Sequence, residues 1–282
     1  MRIAFATMTE PDTMPESDRL TATELERLGH TAHGYVWDGG ESLDSFDALV
    51  IRSCWDYHLK ADAFRSWVEG LQSWGKPVLN PVRTMLWNMD KRYLLEVGRH
   101  APIIPTELIL DPTAEKISET IARLGLTDAI VKPIIGASSF HNYRLRGEAD
   151  YDQLRAEDLP RAMFLQPCMP SIESEGEYSL MFFDGVFSHA VLKRPAKGDH
   201  RAQEEFGGTA DPVTPSEALL AVGQLAVGSS PDLPAYARID LVNSACGPLI
   251  MEIELIEPEL YMAGSPWSPG RFAMAIHERI VS

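Results

Sequence analysis

Residues 236–242 read YARIDLV, and after a short turn residues 249–259 read LIMEIELIEPE. In a strand, side chains two apart share a face, so Arg238 and Asp240 point one way while Ile239 and Leu241 point the other. Glu252 and Glu254 stand against Met251, Ile253 and Leu255 in the same manner. If the two strands pair as a hairpin, three carboxylates and a guanidinium converge. Like charges held that close raise one another's pKa unless a cation sits among them. Oxygen-only ligation suits Mg2+, which takes one or two carboxylates and completes its shell with water and substrate phosphates. The plainer alternative is an exposed face of an antiparallel sheet, polar outside and apolar inside, with Arg238 paired to an acid. Pattern alone leaves both open.

Composition narrows the field. The chain has 282 residues, 45% hydrophobic and 23% charged, which is ordinary for a globular protein with a sizeable core. It carries 25 Lys and Arg against 41 Asp and Glu, a net charge of -16. That field repels a phosphate backbone or an anionic membrane, so neither nucleic acid nor a membrane is expected as a partner. An anionic small ligand needs local cations or a bound metal. The three cysteines, Cys54, Cys168 and Cys246, are scattered with no CxxC pair, the N-terminal MRIAFATM lacks the run of a signal peptide, and no segment approaches a membrane span. A cytoplasmic location is the expectation.

The first segment has βαβ grammar: RIAFAT, a helix from about Asp18 to Leu28, HGYVW, then ALVIRS. Phe64, Trp67, Val68, Leu71 and Trp74 recur at helical spacing, and KPVLNP follows as a short buried strand. Residues 1–81 thus read as an open parallel α/β domain. A connecting helix over Val82 to Arg99 and strands at AIVKPII, HNYRLR and MFLQPCM place a small α+β unit at 82–167. Residues 168–282 read as a second α+β unit, with GEYSLMFF and VFSHAVLKR joined by an Asp184-Gly185 turn. A helix opened by Thr214 and Pro215 precedes the two acidic strands, and one opened by Ser268 and Pro269 follows them. Residues 194–211 read as a long polar loop.

Lys132 stands inside an apolar strand that leads into the turn Gly136-Ala137-Ser138-Ser139. A buried lysine needs an anionic partner, and phosphate oxygens are a natural one. By themselves such a lysine and such a turn are weak signals. In combination, ARIDLV with LIMEIELIEP, VKPIIGASS, MFLQPCM followed by EGEYSL, and Lys91 upstream resemble the ATP-grasp superfamily, especially glutathione synthetase and D-alanine:D-alanine ligase. The elements run in that family's order over roughly residues 80–262. RSCWDYHLK, with LNPVRTMLWNMDKRYLLEV, also resembles a bacterial group of glutathione-synthetase-like ATP-grasp proteins that includes the cycloserine-forming cyclo-ligase.

The resemblance implies an ATP-grasp fold: an open parallel α/β domain followed by two α+β units clasping a nucleotide. It implies that Lys91 and Lys132 reach ATP phosphates and that Gly136, Ser138 and Ser139 belong to a small loop over the γ-phosphate. It further implies that Phe164 to Pro167, including Gln166, read the adenine edge, and that Glu177 holds the ribose. Asp240, Glu252 and Glu254 match its metal ligands, for one or two Mg2+, and Arg238 matches the arginine that stabilises charge on the acyl phosphate. Lys193 and Arg201, near or on the expected lid loop, are candidate phosphate contacts. Two positions depart from the pattern: Gln166 stands where a glutamate is common, and Glu254 where an asparagine is usual.

The expected activity is ATP-dependent joining, or cyclisation, of an amino-acid-like carboxylate through an acylphosphate, with ADP and phosphate released and Arg238 and Lys132 as catalytic groups. Arg52, Trp55, Asp56 and Tyr57, after a strand at the carboxyl end of the parallel sheet, are candidate substrate contacts; the alternative is that they cap and pack a helix start. Glu257 and Glu259 lie where they could meet a substrate amine, and are left unassigned. Two other classes fit less well. A non-catalytic nucleotide binder has no use for Arg238, and a carboxylate-dependent hydrolase leaves Lys132 and the Gly/Ser turn unexplained. Dimers are common among the relatives, although no residue here marks a dimer contact.

Overall fold

The computed structural model describes residues 1–8, 14–137, 140–156, 159–196 and 207–281. Its first sheet is wholly parallel, in the order β2 (Thr31–Val36), β1 (Arg2–Thr7), β3 (Ala48–Ser53) and β4 (Val78–Leu79). Ile3, Phe5 and Val50 face one side, and Ala4, Leu49 and Ile51 the other. Both sides are covered, as a near-continuous apolar run requires. On the second side lies α2 (Ala61–Gly70), through Phe64 and Val68. On the first lie α1 (Glu16–Arg27) and α8 (Ser268–Val281), the latter bringing Phe272 and Ile276 from the far end of the chain.

The second sheet is antiparallel, β5 (Glu107–Leu110), β8 (Ala162–Pro167), β6 (Ala129–Pro133) and β7 (Tyr143–Leu145), backed by α5 (Ala114–Leu124). Thr113 caps that helix on Lys116 N, and Gly125, at φ 64°, closes it. The third sheet, also antiparallel, runs β11 (Thr209–Val213), β10 (Val186–Arg194), β9 (Glu177–Phe183), β12 (Tyr236–Ser244) and β13 (Gly247–Glu254). Asp184 (φ 49°) and Gly185 (φ 74°) form the left-handed two-residue turn between β9 and β10. One sheet falls in each of the segments 1–81, 82–167 and 168–282, and the packing of α8 on α1 joins the first to the last.

Three local readings change. The connecting helix is two helices, α3 (Val82–Asn88) and α4 (Tyr93–Val97). Tertiary hydrogen bonds hold the break: the Asn88 side chain donates through Nδ2 to Ile253 O at 2.7 Å and accepts at Oδ1 from Leu255 N at 2.9 Å, while Lys91 N donates to Ile134 O at 2.7 Å instead of to a carbonyl of its own helix. The helix after the polar loop, α7 (Glu217–Gly228), is capped by Ser216 rather than by Thr214 and Pro215, because the Ser216 hydroxyl accepts from Leu219 N. The polar loop itself gives way to β11, which pairs Thr209 with Arg194 at the sheet edge. Among the described residues no helix is long and apolar enough to cross a membrane.

Candidate active site

The two acidic strands pair as a hairpin in the register that sets Arg238 opposite Glu254 and Asp240 opposite Glu252. On the other flank of β12, Asp240 faces Ser179, and on β9 and β10 Glu177 faces Lys193. One face of the third sheet therefore carries Lys193, Glu177, Ser179, Asp240, Arg238, Glu252 and Glu254. That face forms the wall of a cavity of about 640 Å³. The opposite wall comes from the second sheet through Lys132, Gly136 and Gln166, and from the α3–α4 break through Asn88 and Lys91. The floor adds Trp55 and Tyr57 after β3. The exposed-sheet alternative does not hold, since Arg238 and Asp240 are 9% and 2% exposed.

The acids are neutralised by the chain's own cations. Lys91 Nζ donates to Glu252 Oε1 and, at 2.9 Å, to the carbonyl of Gly136. Arg238 Nε donates to Asp240 Oδ1 at 3.0 Å, and its Nη2 donates to Asp240 Oδ2 at 3.0 Å and to Glu254 Oε1. Lys193 pairs with Glu177 and stands 3.4 Å from Asp240 Oδ2. Ser179 Oγ donates to Asp240 Oδ1 at 2.5 Å. Burial would push Asp240 up, but the Arg238 and Lys193 charges and the bonds from Arg238 and Ser179 outweigh it and hold the carboxyl below the usual range. Glu252, half-buried, is also lowered, because Lys91 and Lys132 outweigh the cost of its desolvation. Glu254 goes the other way. Burial, reinforced by Asp240 and Glu252, lifts it to about 7 in spite of Arg238.

Lys132 is the exception among the cations. It is 9% exposed and its ammonium has no hydrogen bond or ion pair among the described residues. Burial, with repulsion from Lys91, lowers its pKa against the pull of the surrounding acids. A buried charge without a partner is costly, and an anionic ligand in the cavity relieves that cost.

The cavity gathers most of the candidate residues and leaves some out. Lys91, Lys132, Gly136, Gln166, Glu177, Lys193, Arg238, Asp240, Glu252, Glu254, Trp55 and Tyr57 all line it. Ser138, Ser139 and Arg201 lie outside the described residues. Arg52 and Asp56 do not line it. Arg52 is 2% exposed and bound to Asp18 Oδ1 at 2.7 Å and to Pro258 O at 3.1 Å, beneath the cavity floor. Asp56 accepts from Trp37 Nε1 at 3.0 Å and from Lys60 Nζ at 2.9 Å. Both are thus held by partners away from the cavity, and Asp56 precedes the helical turn Tyr57–Lys60 without capping it through its side chain. Gln166 donates to Thr106 Oγ1 at 2.7 Å, a partner 60 residues away with no sequence signal.

The three acids do not form a ready-made metal cage. Among the described residues no three His, Cys, Asp or Glu side chains are grouped to hold an ion, and Glu254 is taken up by Arg238. Asp240 and Glu252, directly opposed and both kept ionised, still supply the one or two carboxylates that Mg2+ needs when phosphate oxygens and water complete its shell.

Residues 3–80 match a family model described as the N-terminal domain of D-cycloserine synthetase DcsG. Over 279 residues, 90% of each sequence, the chain is 32% identical to the cycloserine biosynthesis protein DcsG of Streptomyces lavendulae. The crystal structure of D-cycloserine synthetase DcsG is similar at a TM-score of 0.86, with 28% identity, covering 99% of this chain and 100% of that one. D-alanine–D-alanine ligase from Bacillus anthracis shares the fold at a TM-score of 0.70 and 16% identity, covering 100% of this chain and 97% of that one. With a curated relative above 30% identity along nearly its whole length, the chain belongs to the DcsG family of ATP-grasp ligases and is an enzyme that forms carbon–nitrogen bonds.

Proposed function

We propose that this enzyme uses ATP and Mg2+ to activate the carboxylate of an amino-acid-like substrate as an acylphosphate, which an amine then captures with release of phosphate. The observation that carries the reading is the convergence of four cations, Lys91, Lys132, Lys193 and Arg238, on a cavity of a strongly acidic protein. A triphosphate is the ligand that makes such a concentration useful.

In this reading the Lys132 ammonium, which has no partner among the described residues, would bind phosphate oxygens, Lys91 would hold phosphate as well, and Glu252 would serve as a metal ligand. A bound Mg2+, held by Asp240 and Glu252, supplies charge neutralisation at the phosphates. Gln166 offers its amide, fixed by Thr106, at the end of the cavity suited to a base. Arg238 stays anchored on Asp240 while its guanidinium stabilises the oxyanion that develops at the acyl carbon. Catalysis is then positioning and electrostatics, with no protein nucleophile. Similarity to a cycloserine synthetase favours ring closure, in which carboxylate and amine belong to one molecule.

The test is ADP release during incubation with ATP, Mg2+ and mixed amino acids or their aminooxy derivatives, with Arg238→Ala as control. Substrate-stimulated release that the variant loses supports the reading. ATP binding without any stimulated turnover contradicts it.

A further inference from the structure

Glu257 and Tyr57 enter the cavity from two different units, and the nucleotide chemistry uses neither. Tyr57 follows β3 of the parallel sheet, and Glu257 lies three residues beyond the end of β13. Tyr57 is 4% exposed, yet its hydroxyl has no hydrogen-bond partner among the described residues. Of the charges around that hydroxyl, Glu257 acts on it most strongly, ahead of Glu252 and Glu254. The Glu257 carboxyl forms no ion pair among the described residues and accepts only from its own backbone. Lys91, whose field reaches it, is already committed to Glu252 and to the carbonyl of Gly136.

The position is also built. Trp55 Nε1 donates to the Glu257 carbonyl at 3.0 Å, which ties the end of the acidic strand to the loop after β3 and fixes where the carboxylate stands. The neighbouring candidates are spoken for: Arg52 holds Asp18, and Asp56 holds Trp37 and Lys60. A half-buried carboxyl and a buried hydroxyl, both open to one cavity, leave acceptor capacity that a cationic donor satisfies. An ammonium has three N–H donors, enough for both groups at once.

We infer that Glu257 and Tyr57 form the subsite for the substrate's amino group, and that the enzyme selects carboxylates bearing an ammonium over otherwise identical ones that lack it. The inference rests on the ligase reading, because it places the ammonium in the same cavity as Arg238 and Lys132, where the carboxylate would react. Recognition here is by charge-assisted hydrogen bonds, and a site built to receive an N–H group rejects the analogue without it.

The experiment compares carboxylates that differ only in the amino group: D-alanine with propionate, D-serine with 3-hydroxypropionate, and β-aminooxy-D-alanine, the ring-opened form of D-cycloserine, with 3-aminooxypropionate. Each is incubated with ATP and Mg2+ in the presence of hydroxylamine, which displaces phosphate from an activated carboxylate to give a hydroxamate. ADP and hydroxamate are both measured. Wild-type enzyme should favour the amino member of a pair at least about tenfold, and Glu257→Gln should raise its KM roughly 10- to 100-fold so that the preference collapses. Tyr57→Phe should shift KM the same way by a smaller factor. Calorimetry of ADP with Mg2+ shows that each variant keeps a folded nucleotide site. Equal use of both members by wild-type enzyme, or a preference that survives Glu257→Gln, overturns the subsite and leaves the ligase reading standing. No ADP release with any carboxylate, from enzyme that binds nucleotide, overturns both.

Discussion

The ammonium of Lys91 and the carboxylate of Glu252 form an ion pair across 161 residues of sequence, joining the α3–α4 break to the edge strand of the third sheet. The pair is mostly buried, with side chains 11% and 22% exposed, so removing one partner strands the other. Lys91→Met is expected to cost about 2–3 kcal/mol in urea unfolding. The double variant Lys91→Met/Glu252→Leu should recover most of that stability and still release no ADP. Full activity in the double variant would show that neither group handles phosphate or metal.

Lys132 predicts the opposite balance. Its buried ammonium has no partner among the described residues, so Lys132→Met should raise the melting temperature of the ligand-free enzyme by a few degrees, on the order of 1 kcal/mol. The same change should weaken ATP binding in the presence of Mg2+ about tenfold or more. Stability lost together with unchanged nucleotide affinity would assign Lys132 to the fold alone.

Arg52 and Asp18 are each 2% exposed and bound to one another at 2.7 Å. Arg52→Ala should therefore destabilise the protein by about 3–5 kcal/mol, the usual cost of orphaning a buried charge. KM for the carboxylate, measured on the folded fraction at low temperature, should stay within about twofold, since uniform binding is untouched. A tenfold rise in KM with little loss of stability would instead place Arg52 against the substrate.

Glu254 and Glu257 give the ligand-free enzyme a pH signature. Burial, then neighbouring acids, raise them to about 7 and about 8 from an ordinary 4.5. A raised folded pKa means that the protonated form is the one the fold favours. The stability it contributes is complete below the unfolded value and is lost as pH rises through the folded one. Relative to Glu254→Gln/Glu257→Gln, the wild-type protein should lose stability between about pH 5 and pH 8.5. Paired urea titrations across that window check it, and a constant difference between the two proteins would contradict the assignment.

Much of the architecture could be read before any coordinates. Strand alternation around Ile239 and Ile253 placed Arg238, Asp240, Glu252 and Glu254 on one face, and the Asp184-Gly185 turn marked its hairpin, because both follow from local backbone geometry. The apolar runs of β1 and β3, alternating with helical spacing, likewise announced an open parallel sheet. The Val82–Arg99 segment shows where periodicity stops: its apolar spacing is helical throughout, but Asn88 and Lys91 find better hydrogen bonds in β13 and after β6 than in the helix.

What the sequence by itself determined is which residues carry charge among apolar neighbours and which face of an element each occupies, since period and propensity are properties of a few consecutive residues. Only the tertiary structure decided how those charges are spent. It gave Arg52 to Asp18, Glu254 to Arg238 and Lys91 to Glu252, and left Lys132, Tyr57 and Glu257 open to the cavity. An ion pair depends on distance and desolvation between segments far apart in the chain, and no local pattern encodes either.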